Sequence, residues 1–301
     1  MGRTFTVVTV AGLVLGTSLA HLHSQAADPN AAPAFEVASV KLNNSGSLEQ
    51  HIWRTATGLT VTNMPVRDLI RFAYRLQPFQ LIGGPSWIGD DRFDMLAKIE
   101  GDAPPPMLPG ADQPDSDRFM LSMRTLLADR FKLQVHHEQR QMDIYALVLA
   151  RSAVEGLKPS TTDCDAYLQE AMHRGGFTRP EPGATVCGLW QSPAQIRMGG
   201  VPLSFLTNAL SGITGRKVVD RTGLIGNYDL TLTYTPDALR NFRSSPDLPP
   251  GTLPQINGVS FDPDGPSIFA AVQGQLGLKL ESTEGPVDVV VIDHVERPTP
   301  D

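Results

Sequence analysis

Thr62-Asn63-Met64-Pro65-Val66-Arg67-Asp68-Leu69-Ile70 and Gly199-Gly200-Val201-Pro202-Leu203-Ser204-Phe205-Leu206 decide the fold, because they carry one pattern twice. Setting Pro65 on Pro202 gives an offset of 137 positions. With one deletion, Trp87-Ile88-Gly89 then falls on Leu224-Ile225-Gly226, and Phe93-Asp94-Met95 on Tyr228-Asp229-Leu230. Further on, an offset of 145 lays Phe131-Lys132-Leu133-Gln134-Val135 over Leu276-Gly277-Leu278-Lys279-Leu280. The same offset lays Asp143-Ile144-Tyr145-Ala146-Leu147 over Asp288-Val289-Val290-Val291-Ile292. Four blocks in one order predict an internal duplication.

Each block reads as local structure. Val66, Leu69, Ile70 and Ala73 follow the i, i+3, i+4, i+7 spacing of a helix face, and Pro65 suits a helix start. Leu203, Leu206, Leu210 and Ile213 repeat that face after Pro202. Met120, Met123, Leu126 and Leu127 predict a second helix, with Ile268, Ala271, Val272 and Leu276 as its counterpart. Strands are expected over 35–42, 79–82, 93–99, 131–135 and 144–149, then over 217–219, 228–234, 278–281 and 287–292. Proline-rich insertions, 101–117 and 236–266, interrupt both halves at the same place. The expected fold class is α/β (α+β): repeated strand-helix-strand-strand and helix-strand-strand modules, each helix covering a sheet face. The first repeat is assigned to residues 35–151 and the second to 196–298.

The N-terminus predicts an address. Arg3 precedes an uncharged, mostly apolar stretch over residues 5–20, and Ser24-Gln25-Ala26 offers small residues before a cut. This is the layout of a signal peptide over 1–26, with Ala20 as an alternative cleavage point and a secreted or periplasmic destination. In such a compartment Cys164 and Cys187 are expected to form one disulfide, closing a connector over residues 152–195.

Composition excludes other classes. The 301 residues hold 25 Lys+Arg against 32 Asp+Glu, a net charge of −7, too acidic to track nucleic-acid phosphates. At 41 % hydrophobic the chain is not a disordered one, and no apolar run after the leader is long enough for a membrane span.

Catalytic motifs fail their spacing tests. His136-His137-Glu138 lacks a second histidine at i+4, and neighbours on a strand point to opposite faces. Asp293-His294 reads as the polar end of the apolar run 287–292. Gly84-Pro85-Ser86-Trp87-Ile88-Gly89 misses the nucleophile-elbow spacing. Asp262-Pro263-Asp264-Gly265 lacks an acidic twelfth calcium ligand, since Gln273 stands there. No cofactor and no metal is therefore expected. Two glycine-bearing turns remain as candidate ligand sites: Trp87, Asp91 and Arg92 in the first, Asp220, Arg221 and Tyr228 in the second.

Five strings together carry a resemblance: Phe35-Glu36-Val37-Ala38-Ser39-Val40-Lys41, Gly83-Gly84-Pro85-Ser86-Trp87, Leu127-Ala128-Asp129-Arg130-Phe131-Lys132-Leu133, Val219-Asp220-Arg221-Thr222-Gly223-Leu224 and Val291-Ile292-Asp293-His294-Val295. From about residue 35 onward the chain resembles the soil-associated family of exported bacterial proteins, a domain of unknown function expanded in soil bacteria. The resemblance implies export and a duplicated α/β module, with no assigned activity. Some relatives resemble sensor domains attached to membrane metalloproteases of the β-lactam-sensor type; this chain has no H-E-x-x-H. By pattern alone the units also resemble the short N-terminal domain of secretins and TonB-dependent receptors.

The functional expectation is a binding or interaction module rather than an enzyme. Its partner would be a cell-envelope protein, a peptide or a small ligand, met in a groove between the halves or at a sheet edge open to strand addition. The alternatives are a hydrolase built on His136, His137 or His294 with nearby carboxylates, and a sensor input domain working with a separate membrane protein.

Overall fold

Pro65 stands at the N-cap of a nine-residue helix in extended conformation, and Val66, Leu69, Ile70 and Ala73 behind it are fully buried. Arg75 ends that helix in the left-handed region (φ 56°), where the Leu76 N–H donates to the Arg71 carbonyl. The corresponding helix of the second half stops at Gly215 (φ 68°), the usual glycine solution to the same turn.

The computed structural model describes residues 32–47, 49–55, 58–98, 118–150, 156–174, 180–181, 184, 186–240, 253–256 and 259–299. The leader expected over 1–26 and the insertion 101–117 lie outside them, as does part of 236–266. The first half runs β1 (Val37–Leu42), β2 (His51–Thr55), β3 (Gly58–Pro65), α1 (Val66–Tyr74), β4 (Leu81–Gly83), α2 (Trp87–Asp90), β5 (Arg92–Lys98), α3 (Arg118–Phe131) and β6 (Gln134–Leu149). A connector carries β7 (Lys158–Pro159) and α4 (Cys164–Arg174). The second half runs β8 (Gly188–Ser192), β9 (Gln195–Val201), α5 (Ser204–Thr214), β10 (Val218–Asp220), β11 (Tyr228–Thr233), β12 (Gln255–Ile256), β13 (Val259–Ser260), α6 (Ile268–Leu276) and β14 (Leu278–His294). The fold is mixed α+β.

Three four-stranded sheets organise these elements, two outer ones ordered β1-β5-β3-β2 and β7-β11-β9-β8, and a central one ordered β10-β6-β14-β4. In the central sheet β6 and β14 pair antiparallel, while the short edge strands β10 and β4 add in parallel. Leu81 pairs with Val290, and Val218, 137 positions after Leu81, pairs with Tyr145, 145 positions before Val290. The pairings of the two edges thus interchange under the offsets of the sequence blocks.

Two cores follow from alternation. Val40, Leu59, Val61, Phe93 and Met95 from the first outer sheet pack with α1, α3, with Leu133 just before β6, and with Val290 and Ile292 of the central sheet. Ile196, Met198, Leu230 and Leu232 pack likewise with α5, α6 and with Leu147, Leu278 and Leu280. A smaller cluster of Ile144, Val287 and Val289 uses the alternate residues of β6 and β14, on the opposite face.

Several expected boundaries are corrected. Phe131 closes α3 and does not begin a strand, and residues 131–135 and 144–149 are not separate strands: β6 runs unbroken from Gln134 to Leu149. Segments 278–281 and 287–292 likewise merge into β14. Backbone pairing continues through the polar residues between them, where Gln139 donates across the pair to the Asp288 carboxylate at 3.1 Å. Pro286 is tolerated opposite Gln141 because β4 reaches β14 only at residues 290–292. Phe79 lies in a 3-10 turn (Pro78–Gln80), so only the end of the strand expected over 79–82 forms. The Cys164–Cys187 disulfide is present, with a Cα–Cα distance of 5.5 Å. No helix of the described residues is long and apolar enough to cross a membrane.

Candidate functional site

The two glycine-bearing turns follow β4 and β10, which lie at opposite edges of the central sheet, so their residues do not converge on one site. Trp87 opens α2 and packs partly buried against the first core. The Arg297 guanidinium lies 5.0 Å from its ring centroid and donates through Nε to the Asp91 carboxylate at 2.7 Å. Arg92 donates to the Asn63 carbonyl at 3.3 Å. In the second turn the Asp220 carboxylate accepts from both the backbone N–H and the hydroxyl of Thr222, each at 2.8 Å, the local bonding of an Asx turn. Tyr228 is only 7 % exposed and donates its hydroxyl to the Ile225 carbonyl at 3.1 Å. Arg221 is exposed. Five of these six side chains hold the fold together locally.

The histidines are separated as well. His136 Nδ1 lies 2.8 Å from Asp293 Oδ1 on the neighbouring strand, and its Nε2 lies 3.7 Å from Glu138, which also pairs with Arg140. His137 faces the other way, its ring 6.3 Å from that of Tyr74. His294 pairs with Glu296 at 2.8 Å. Carboxylates lie within hydrogen-bonding reach of His136 and His294 at exposed positions, contacts of the solvent surface. Among the described residues no group of three or more His, Cys, Asp or Glu is placed to hold a metal ion.

A recess lies where the halves meet. A cleft of about 590 Å³ opens beside the C-terminal half of α1 and takes one wall residue, Asn208, from α5. Ile52, Met64, Phe72, Leu76 and Met120 make it apolar, while Asp68, Arg71, Arg75, Gln77, Gln80 and Asn208 supply polar groups. Amphipathic periodicity accounts for this: the face of α1 opposite Leu69 and Ala73 carries Asp68 and Arg71, which pair at 2.8 Å across one helical turn. Arg71 keeps 30 % of its side chain exposed, yet its Nε is buried without a hydrogen-bond partner among the described residues. Such a donor costs roughly 1–3 kcal/mol while it stays unmatched. Gln77 spans the junction: its backbone N–H donates to the Gln80 side-chain oxygen at 3.0 Å, and its side-chain amide donates to Asn208 at 3.1 Å.

Nearby, Tyr74 is held above the ordinary tyrosine pKa by burial, partly opposed by the Arg124 guanidinium 4.6 Å from its ring. None of these residues stood out in the sequence by type. Their signal was positional, because Arg71 and Asn208 are 137 positions apart, so the repeat offset itself sets one over the other.

Fold and site together define an α+β protein with two similarly ordered outer sheets, a shared central sheet and an amphipathic cleft at the junction. The chain belongs to a family described as "Protein of unknown function (DUF3738)", whose profile matches residues 67–295. No curated protein and no solved structure matches it significantly.

Proposed function

We propose that this chain is an exported binding protein made of one module used twice, which holds an amphipathic organic anion in the cleft between its halves. The observation that carries this reading is Arg71: a partly exposed guanidinium in an amphipathic cleft, with one carboxylate on Nη1 and, among the described residues, no partner on its buried Nε. A carboxylate or sulfonate suits the part of that guanidinium that stays exposed, and the Met64, Phe72 and Met120 wall suits an apolar body. Duplication is supported by the matching strand orders and the interchangeable pairings of β4 and β10. Export is supported by Arg3 with the apolar stretch behind it and by the Cys164–Cys187 disulfide, which suits an oxidising compartment.

Titration with 1-anilinonaphthalene-8-sulfonate, an apolar anion that brightens when shielded from water, tests the reading. One saturable site is expected, weakened about tenfold or more by Arg71→Met, the loss of one charge-assisted hydrogen-bonding group. Equal affinity of the variant and the wild type sinks it.

A further inference from the structure

We propose that the solvent face of the first outer sheet docks an extended, proline- and glycine-rich segment of a partner protein, with Trp53 as its anchor. Ser39, Leu96, Thr60 and Trp53 stand directly opposite one another across the four strands of that sheet. Their alternates Val40, Met95 and Leu59 are buried in the core, so this row faces outward. Trp53 is 69 % exposed, Leu96 54 % and Val37, beside them, 57 %. Exposed apolar side chains gathered on one face mark an interaction surface more than single ones do.

The second outer sheet supplies an internal precedent for the occupant. There Thr231, Arg197 and Trp190 stand opposite one another, and Trp190 and Arg197 lie 137 positions after Trp53 and Thr60. That face is covered by the chain's own connector. Arg197 donates to the carbonyls of Pro180, Glu181 and Ala184, and Val186 is buried with its carbonyl against Gly199, where a β carbon would overlap it. Trp190 is half-buried as a result, with its indole nitrogen enclosed. The four covering residues, Pro180, Glu181, Ala184 and Val186, belong in sequence to Pro180-Glu181-Pro182-Gly183-Ala184-Thr185-Val186.

The exposed row selects a similar occupant. A sheet face has its backbone groups spent on neighbouring strands, so a ligand is held through side chains: the Trp53 indole N–H and Thr60 hydroxyl for carbonyls, the Trp53 and Leu96 surfaces for proline rings. Polyproline-type segments keep their carbonyls free and need no strand partner. Three strand spacings make the row about 14 Å wide. Its exposed apolar side chains are Trp53, Leu96 and Val37, few beside the roughly 20–30 residues a side of a stable dimer, which argues against a second copy of this chain.

Fluorescence anisotropy with a labelled peptide of residues 178–186 as the probe, and the full disulfide-bonded chain as receptor, tests the proposal. Saturable binding in the range of about 10 µM to 1 mM is expected, weakened about tenfold by Trp53→Ala. Thr60→Arg, which introduces the guanidinium used on the other sheet, should tighten it about threefold, while Arg71→Met leaves it unchanged. No saturation up to about 2 mM, or equal binding by a Trp53→Ala variant with unaltered circular dichroism and melting, overturns the proposal. So does a Trp53-dependent dimer in sedimentation.

Discussion

Asn63 and Gly200 hold corresponding places at the bulge that ends the long strand of each outer sheet, and their backbones agree. Both are left-handed, φ 57° and 68°, and both donate their N–H to an aspartate of the adjacent strand, Asp94 at 2.8 Å and Asp229 at 3.0 Å. The side chains then part company. The Asn63 amide, buried, donates to the carbonyls of Ser47 at 2.6 Å and Glu49 at 2.9 Å, tying down the connection between β1 and β2. Gly200 contributes no side chain, and the Cys164 sulfur fills that space so closely that a β carbon would overlap it. One backbone geometry thus serves two closures, a hydrogen-bonded one in the first half and a covalent one in the second. The covalent closure holds a connector over its sheet, whereas on the equivalent face of the first half Trp53 is exposed among the described residues.

The largest effect is expected at the covalent side. Cys164→Ser with Cys187→Ser should cost about 3 kcal/mol of unfolding free energy in urea, the entropic worth of a loop of this length. A loss below about 1 kcal/mol would mean the connector is held mainly by Arg197. At the hydrogen-bonded side, Asn63→Ala should cost about 2 kcal/mol, since two carbonyls lose their donor and alanine resists positive φ. Asn63→Gly, which relieves the backbone but not the carbonyls, should fall between the wild type and alanine.

The shared aspartates sharpen the contrast. Asp94 also accepts from the Asn43 amide at 2.8 Å, so Asp94→Ala should destabilise by about 1 kcal/mol more than Asp229→Ala. Equal costs would show that the Asn43 contact contributes nothing.

The smallest expected effect is a pH dependence common to both halves. Tyr74 and Tyr234 have pKa values raised above 10.0, chiefly by burial; Arg124 opposes the shift at Tyr74 and a hydrogen bond with Gln191 opposes it at Tyr234. Above pH 10 the unfolded chain releases these protons before the folded one does, so the stability present below pH 10 declines as pH rises through the folded values. Denaturant titrations between about pH 9 and 11.5 should show that decline, and Tyr74→Phe and Tyr234→Phe should each flatten it.

How much of this was legible before folding depends on whether the signal was local. The Val66, Leu69, Ile70, Ala73 face and its counterpart on α5 were readable because burial on a helix follows a fixed period. The β6–β14 pair was read as four strands because its polar middle, including Gln139 and Gln141, breaks the side-chain pattern without breaking the backbone ladder. Asp220 drew notice as a charged residue in a glycine-bearing turn, yet Asp-Arg-Thr-Gly is also the chemistry of an Asx turn, and its bonds to Thr222 are of that kind. The Arg71 cleft and the contrast between Trp53 and Trp190 were out of reach of any local pattern. One needs Asn208 of α5 brought against Gln77, 131 positions away, and the other needs the chain just before Trp190 to fold back over its own sheet face while the matching face around Trp53 stays exposed.

The central claim, a ligand cleft shared by two similarly built halves, is tested most directly by two-dimensional amide NMR during titration with decanoate, a carboxylate with an apolar tail. Saturable shift changes are predicted on both sides of the junction, at Arg71 and Gln77 from the first half and at Asn208 from the second, and they should vanish in Arg71→Met. Changes confined to one half, or none at the junction, would contradict it.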